Sequence, residues 1–177
     1  CTRASEVAPD DPRPYFARAI PLVQAGDTAG AAALIAKVEA IAGDRAPLWT
    51  ELAGFYQGQG LLSRAEAAAA RANTLAPGSA DDVAGWARRT RARYGLPPDA
   101  KKWKIADADE RAYVDAVRAI LEAIYANKLG DAKRLADTAD KKWKKAPGLL
   151  AARCDLALRS NQLAAARGLC EQAIQAW

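Results

Sequence analysis

The 177-residue chain contains no histidine and no methionine. Without histidine it lacks the side chain most often used as a general base near neutral pH and the commonest metal ligand. A Ser–His–Asp set is thereby excluded, no glycine-rich phosphate loop follows a strand, and no cluster has metal-ligand spacing. Asp107, Asp109 and Glu110 are conceivable as paired carboxylates for glycan hydrolysis, but acidic residues at the start of a helix are explained by capping. The chain is therefore expected not to be an enzyme and to need no cofactor or metal. With cysteine rather than methionine at position 1, a processed or trimmed product is expected. No apolar run reaches 18 residues, so no segment is expected to span a bilayer. Aromatic residues make up only 7% of the chain, and no stretch alternates as a strand would.

What is abundant is alanine, which carries much of the 51% hydrophobic fraction and suits closely packed helices. The net charge of +5 and pI near 9.2 permit anionic partners without demanding them. The block formed by Arg88, Arg89, Arg91 and Arg93, then Lys101, Lys102 and Lys104, is more telling than the total.

The most informative run is 48–77, LWTELAGFYQGQGLLSRAEAAAARANTLAP. Trp49, Leu52, Ala53 and Tyr56 recur at helical spacing, Gly58-Gln59-Gly60 interrupts them, and Ala65, Ala69 and Ala72 resume the period before Pro77. The pattern resembles the tetratricopeptide repeat, a helix–turn–helix unit of about 34 residues. The family's signature positions match Trp49, Leu52, Ala53, Tyr56, Gly60, Ala65, Ala72 and Pro77, while its second aromatic position is Ala69 here. The resemblance implies an all-α, right-handed superhelical array of helix-turn-helix repeats.

Shifting back by 34 residues gives a worn copy at 12–45, with Tyr15, Ala19 and Leu22 in the first helix and Gly26 in the turn. Arg18 stands where Leu52 does, and Pro21 falls inside the first helix, where a kink is expected. Asp27 should cap the helix that follows. Copies at 113–146 and 147–177 match each other: Ala123 with Ala157, Asn127 with Asn161, Leu129 with Leu163, Ala132 with Ala166, Leu135 with Leu169, Ala139 with Ala173 and Trp143 with Trp177. Asn127 and Asn161 take the place of the turn glycine, and asparagine tolerates the left-handed conformation. Between the pairs, 80–112 reads as a degenerate third repeat. Asp81 and Asp82 are expected to cap a helix ending at Gly95, Pro97 and Pro98 break the continuation, and Asp107 or Asp109 opens a long helix to Ala126. The repeats fill a domain over 15–177.

Cys1 followed by TRASEVAPDDPRP resembles the start of a mature bacterial lipoprotein, with Cys1 lipidated and 1–14 an extended tether. Because residue 2 is Thr and not Asp, the resemblance implies the outer membrane, on its periplasmic face. The alternative is an arbitrary cut at a cysteine. Cys154 and Cys170 sit nearly equidistant from the turn at Asn161–Gln162, which permits a disulfide across the last hairpin; two free, buried cysteines are the alternative.

In the repeat family, the inner faces of the first helices line a groove for a peptide or partner helix. Carried over by position, that surface comprises Phe16, Ile20, Val23, Gln24, Thr50, Gln57, Arg88, Arg91, Val117, Leu121, Ile124, Tyr125, Asp155, Leu158 and Arg159. Two central arginines suit a peptide bearing a carboxylate. Val117, Leu121 and Ile124 are equally readable as core, and Arg88 and Arg91 as a solvated face. The run Lys101-Lys102-Trp103-Lys104 is a candidate patch for an acidic polymer or a lipid interface. Its counterpart around Trp143 reads as a helix end, with lysines complementing the dipole.

The expected function is a scaffold or adaptor that binds envelope proteins for a secretion, pilus, motility or outer-membrane assembly machine, resembling a pilotin-like accessory. The alternative is a module for peptidoglycan or polysaccharide. No nucleic-acid partner is expected, and the last repeat offers a surface for oligomer formation.

Overall fold

The computed structural model describes residues 8–96, 105–106 and 109–176. Among the described residues there are nine helices and no strand: α1 (Arg13–Gln24), α2 (Thr28–Ala42), α3 (Ala46–Gly58), α4 (Leu62–Leu75), α5 (Asp81–Tyr94), α6 (Glu110–Tyr125), α7 (Leu129–Lys142), α8 (Pro147–Arg159) and α9 (Leu163–Ala176). The chain is all-α and consists largely of helical hairpins. It divides into two compact units, Cys1–Gln59 with Ser63–Gly85, and Gly60–Leu62 with Trp86–Trp177.

One turn recurs in both units, for a reason visible in the chain. After α1 the Asp27 N–H donates to the Leu22 carbonyl at 2.8 Å, after α6 Lys128 N–H to Ala123 at 2.8 Å, and after α8 Gln162 N–H to Ala157 at 2.9 Å. Each bond reaches back five residues, the six-to-one closure of a Schellman motif, which needs a left-handed residue in between. Gly26 (φ 81°), Asn127 (φ 56°) and Asn161 (φ 56°) supply it. The expected equivalence of glycine and asparagine at this turn is therefore realised in the backbone. Prolines fix the other end: Pro47 and Pro147 lie in the first turns of α3 and α8, where a missing N–H costs nothing.

In the N-terminal unit α2 packs against α1 and α3. Tyr15 and Ala19 of α1, Leu34, Ile35 and Val38 of α2, and Leu52, Ala53 and Tyr56 of α3 are buried, while α4 buries Ala65, Ala68, Ala69 and Ala72. Asp27 accepts the Gly30 N–H at 2.8 Å and caps α2 as expected. Pro21 is accommodated within α1, which runs on to Gln24. α1 begins inside the segment expected as tether, and the Tyr15 hydroxyl donates to the Pro9 carbonyl at 3.2 Å. Asp81 and Asp82 lie inside the first turn of α5 and not ahead of it. The helix start is held instead by Asn73, whose side chain accepts the Ala80 N–H at 2.8 Å and donates to Asp81 at 2.9 Å.

In the C-terminal unit α6 packs on α7 and α8, α7 on α8, and α8 on α9. Large side chains of α6 (Tyr113, Val114, Val117, Ile120, Ile124) share one core with Ala132, Ala136 and Ala139 of α7 and Leu149 and Ala152 of α8. Large-against-small packing lets the backbones approach closely, which is what the alanine content allows. Trp143 packs on this core edge-on to Tyr113, at 5.5 Å between ring centres, with the Lys142 ammonium 4.9 Å from its ring. It is a packing residue at the end of α7. The expected bridge is present: Cys154 of α8 and Cys170 of α9 form a disulfide, with Cα atoms 5.3 Å apart.

Two buried phenols make the fold sensitive to alkali. Burial, reinforced at Tyr56 by the Glu39 carboxylate that its hydroxyl donates to at 2.7 Å, pushes the Tyr56 phenol well above its usual value. Burial does the same at Tyr113. A raised folded-state pKa means that the fold holds the protonated form. Stability is therefore complete below the unfolded value of 10.0 and is lost as pH rises through and beyond it. Subtracting the Tyr56→Phe and Tyr113→Phe absorbances at 295 nm from wild type should show both phenols ionising only together with loss of helical circular dichroism. Ionisation with helicity intact would contradict this.

Candidate partner-binding groove

A cleft of about 730 Å³ opens within the C-terminal unit. Its floor comes from Val117 and Leu121 of α6 and Ala151 and Ala152 of α8. One wall is the end of α5, carrying Arg93 and Tyr94, and the other is α9, carrying Ala173 and Ile174. Tyr125 and Ile174 stand at its rim 66% and 76% exposed, the two most solvent-accessible large hydrophobic side chains among the described residues. Isolated exposed apolar residues need no explanation, but two on one cleft mark it as a place where surface remains to be buried.

The cleft is shaped by a close backbone crossing. α5 ends in another six-to-one turn, with Leu96 N–H donating to Arg91 at 2.9 Å across Gly95 (φ 65°). This brings Gly95 against Gly148, and the Tyr94 carbonyl so close to Gly148 that no side chain fits there. The buried Tyr113 hydroxyl of α6 lies against Gly148, in the first turn of α8, a helix without a side-chain cap of its own.

Its charges are largely paired. Arg118 donates to the Tyr94 hydroxyl at 3.2 Å and bridges Asp115 at 3.2 Å. Arg159 lies over Tyr125 at 5.1 Å and bridges Asp155 at 3.2 Å. Arg93 stacks on Tyr94 at 5.7 Å, and among the described residues neither it nor Glu122 makes an ion pair.

Of the residues expected to line a groove, Leu121, Tyr125, Val117 and Asp155 meet here. Val117 is nonetheless a core residue that shows the cleft only its edge, and Ile124 is wholly buried. Arg91 is displaced from this role: it is 11% exposed and bridges the buried Glu110 at 3.4 Å. Arg88 is exposed on α5 outside the cleft. Arg93, expected only as part of the basic block, and Arg118, which no local pattern singles out, line the cleft as well; the i,i+4 step from Arg89 to Arg93 onto the last turn of α5 is the signal the sequence offers for the first. Asp109 stands at the N-cap position of α6, as expected, but its side chain makes no cap hydrogen bond. Its carboxylate accepts from Lys142 at 2.7 Å.

Phe16 and Ile20 border a smaller recess in the N-terminal unit with Phe55, whose ring centre is 6.0 Å from that of Phe16. Gln24 and Gln57 do not line it, and the Thr50 hydroxyl is occupied by the Ala46 carbonyl at 3.2 Å and that of Ser79 at 3.4 Å. Leu158 is half exposed on α8. Cys1, Lys101, Lys102, Trp103, Lys104 and Asp107 lie outside the described residues. Among the described residues no group of acidic or cysteine side chains is arranged to hold a metal, and no helix is long and apolar enough to cross a membrane. No family model, curated protein or solved structure matches the chain.

Proposed function

We propose that this chain is a non-catalytic scaffold of the tetratricopeptide-like type that holds a protein partner in the cleft between α6, α8 and α9. The observation that carries this reading is the pair of exposed anchors, Tyr125 and Ile174, on an apolar floor whose neighbouring charges are mostly neutralised in place. Such a surface gains by covering side chains and loses little by desolvating charge. The lipoprotein resemblance of Cys1 supports an outer-membrane anchor facing the periplasm, and the disulfide suits that oxidising compartment. The partner is then a component of an envelope machine.

A second reading, a module for an anionic envelope polymer, is favoured by Arg88 and Arg89, which are exposed on α5 and make no ion pair among the described residues. Ionic strength separates the two. A polymer complex should dissolve between about 0.05 and 0.5 M salt, as the screening length falls. A groove complex extracted from the envelope should survive that change and be lost with Leu121→Glu. Co-sedimentation with purified sacculi at both salts, beside native-gel sizing of the extract, gives the answer.

A further inference from the structure

The geometry points to a ligand polarity. We propose that the cleft takes a peptide segment with an apolar face and two opposite charges, an acidic group against Arg93 and a basic group against Glu122. This rests on the reading of the cleft as a partner site and adds the partner's chemistry.

Of the charged groups on its lining, Arg118 and Asp155 are already committed to Asp115 and Arg159. Arg93 and Glu122 remain, one cation and one anion, neither in a close ion pair among the described residues, although the Glu122 charge also acts on Arg118 one turn away. They stand on different elements, Arg93 at the end of α5 and Glu122 on α6. The Arg93 and Arg118 guanidiniums both lie over the Tyr94 ring, 5.7 and 5.6 Å from its centre, and Glu122 follows Arg118 by one helical turn. Leu121 and Tyr125, one turn apart on α6, line the same cleft. A small zwitterion would satisfy the charges but leave Tyr125 and Ile174 in water. A peptide covers both. A segment carrying them in reverse order would place like charges together, which penalises it.

The test is selection from a displayed random library of about 12-residue peptides, roughly three helical turns, against the intact oxidised chain. The same library is applied to the Arg93→Glu/Glu122→Arg double variant. Both positions are exposed, so the variant should fold, and its circular dichroism checks this. Wild type should enrich apolar peptides with one fixed order of acidic and basic residues, and the double variant should enrich the opposite order. Each single change should weaken wild-type-selected peptides roughly two- to fivefold, as exposed ion pairs do. Peptides that are lost with Leu121→Glu but show no charge order would overturn the polarity and leave the cleft reading standing. Peptides indifferent to Leu121→Glu, or none at all, would overturn both.

Discussion

Replacing Gly148 by valine should abolish the fold of the C-terminal unit. A Cβ at this position would run into the Tyr94 carbonyl and come within 2.7 Å of the Tyr113 hydroxyl. Neither neighbour can give way cheaply. Tyr94 precedes Gly95, which is itself in contact with Gly148 and held at φ 65°. Tyr113 is fully buried, with its hydroxyl against the start of α8. Backbone would have to move against backbone at the first turn of α8. A loss of at least about 4 kcal/mol is expected, a large share of the 5–15 kcal/mol typical of a domain. Gly130 in α7 is the control, because nothing stands within 4 Å of its added Cβ. Gly130→Ala should hold or raise stability, by up to about 1 kcal/mol. Denaturant unfolding followed by circular dichroism measures both. A Gly148→Val protein with an unchanged midpoint would show that the crossing is not as close as described.

The second large effect is expected at Arg91. Its guanidinium bridges Glu110, a residue only 2% exposed, so removing it takes a counter-charge away from a buried acid. Arg91→Ala should cost about 3 kcal/mol or more. Arg88→Ala and Arg89→Ala, exposed on the same helix, should stay within about 0.5 kcal/mol. Replacing the pair together, Arg91→Met with Glu110→Leu, should recover most of the loss, since apolar residues of similar size need no counter-charge. If Arg91 were instead a cation awaiting a ligand, its removal would leave stability unchanged and weaken partner binding alone. Thermal unfolding of the four variants distinguishes these roles.

The contrast between Arg88 and Arg91 shows where a sequence is readable. Turns at Gly26, Asn127 and Asn161, helix periods and the alanine faces of α4 and α7 are local, so each leaves its trace within a few residues. The cleft depends on contacts that leave no such trace. Arg91 meets Glu110 across 19 residues, Asp109 meets Lys142 across 33, and Tyr113 reaches the start of α8. An aspartate before a helix reads as a cap because capping is the commonest local explanation, and only the fold shows that its carboxylate faces a lysine. Similarly, two arginines three apart on α5 were indistinguishable by composition. Burial of one and exposure of the other followed from which side of the helix met α6. The cysteine pair was legible because the hairpin turn between them set their level.

The most direct test of the account is site-specific photo-crosslinking in the native envelope, with the reactive residue at Tyr125 and a control at Asp137, on an exposed position of α7 that does not line the cleft. The account predicts a discrete protein adduct from Tyr125 that disappears when Leu121→Glu is added, and none from Asp137. No adduct at Tyr125, or the same adduct from both positions, would contradict a partner seated in the cleft.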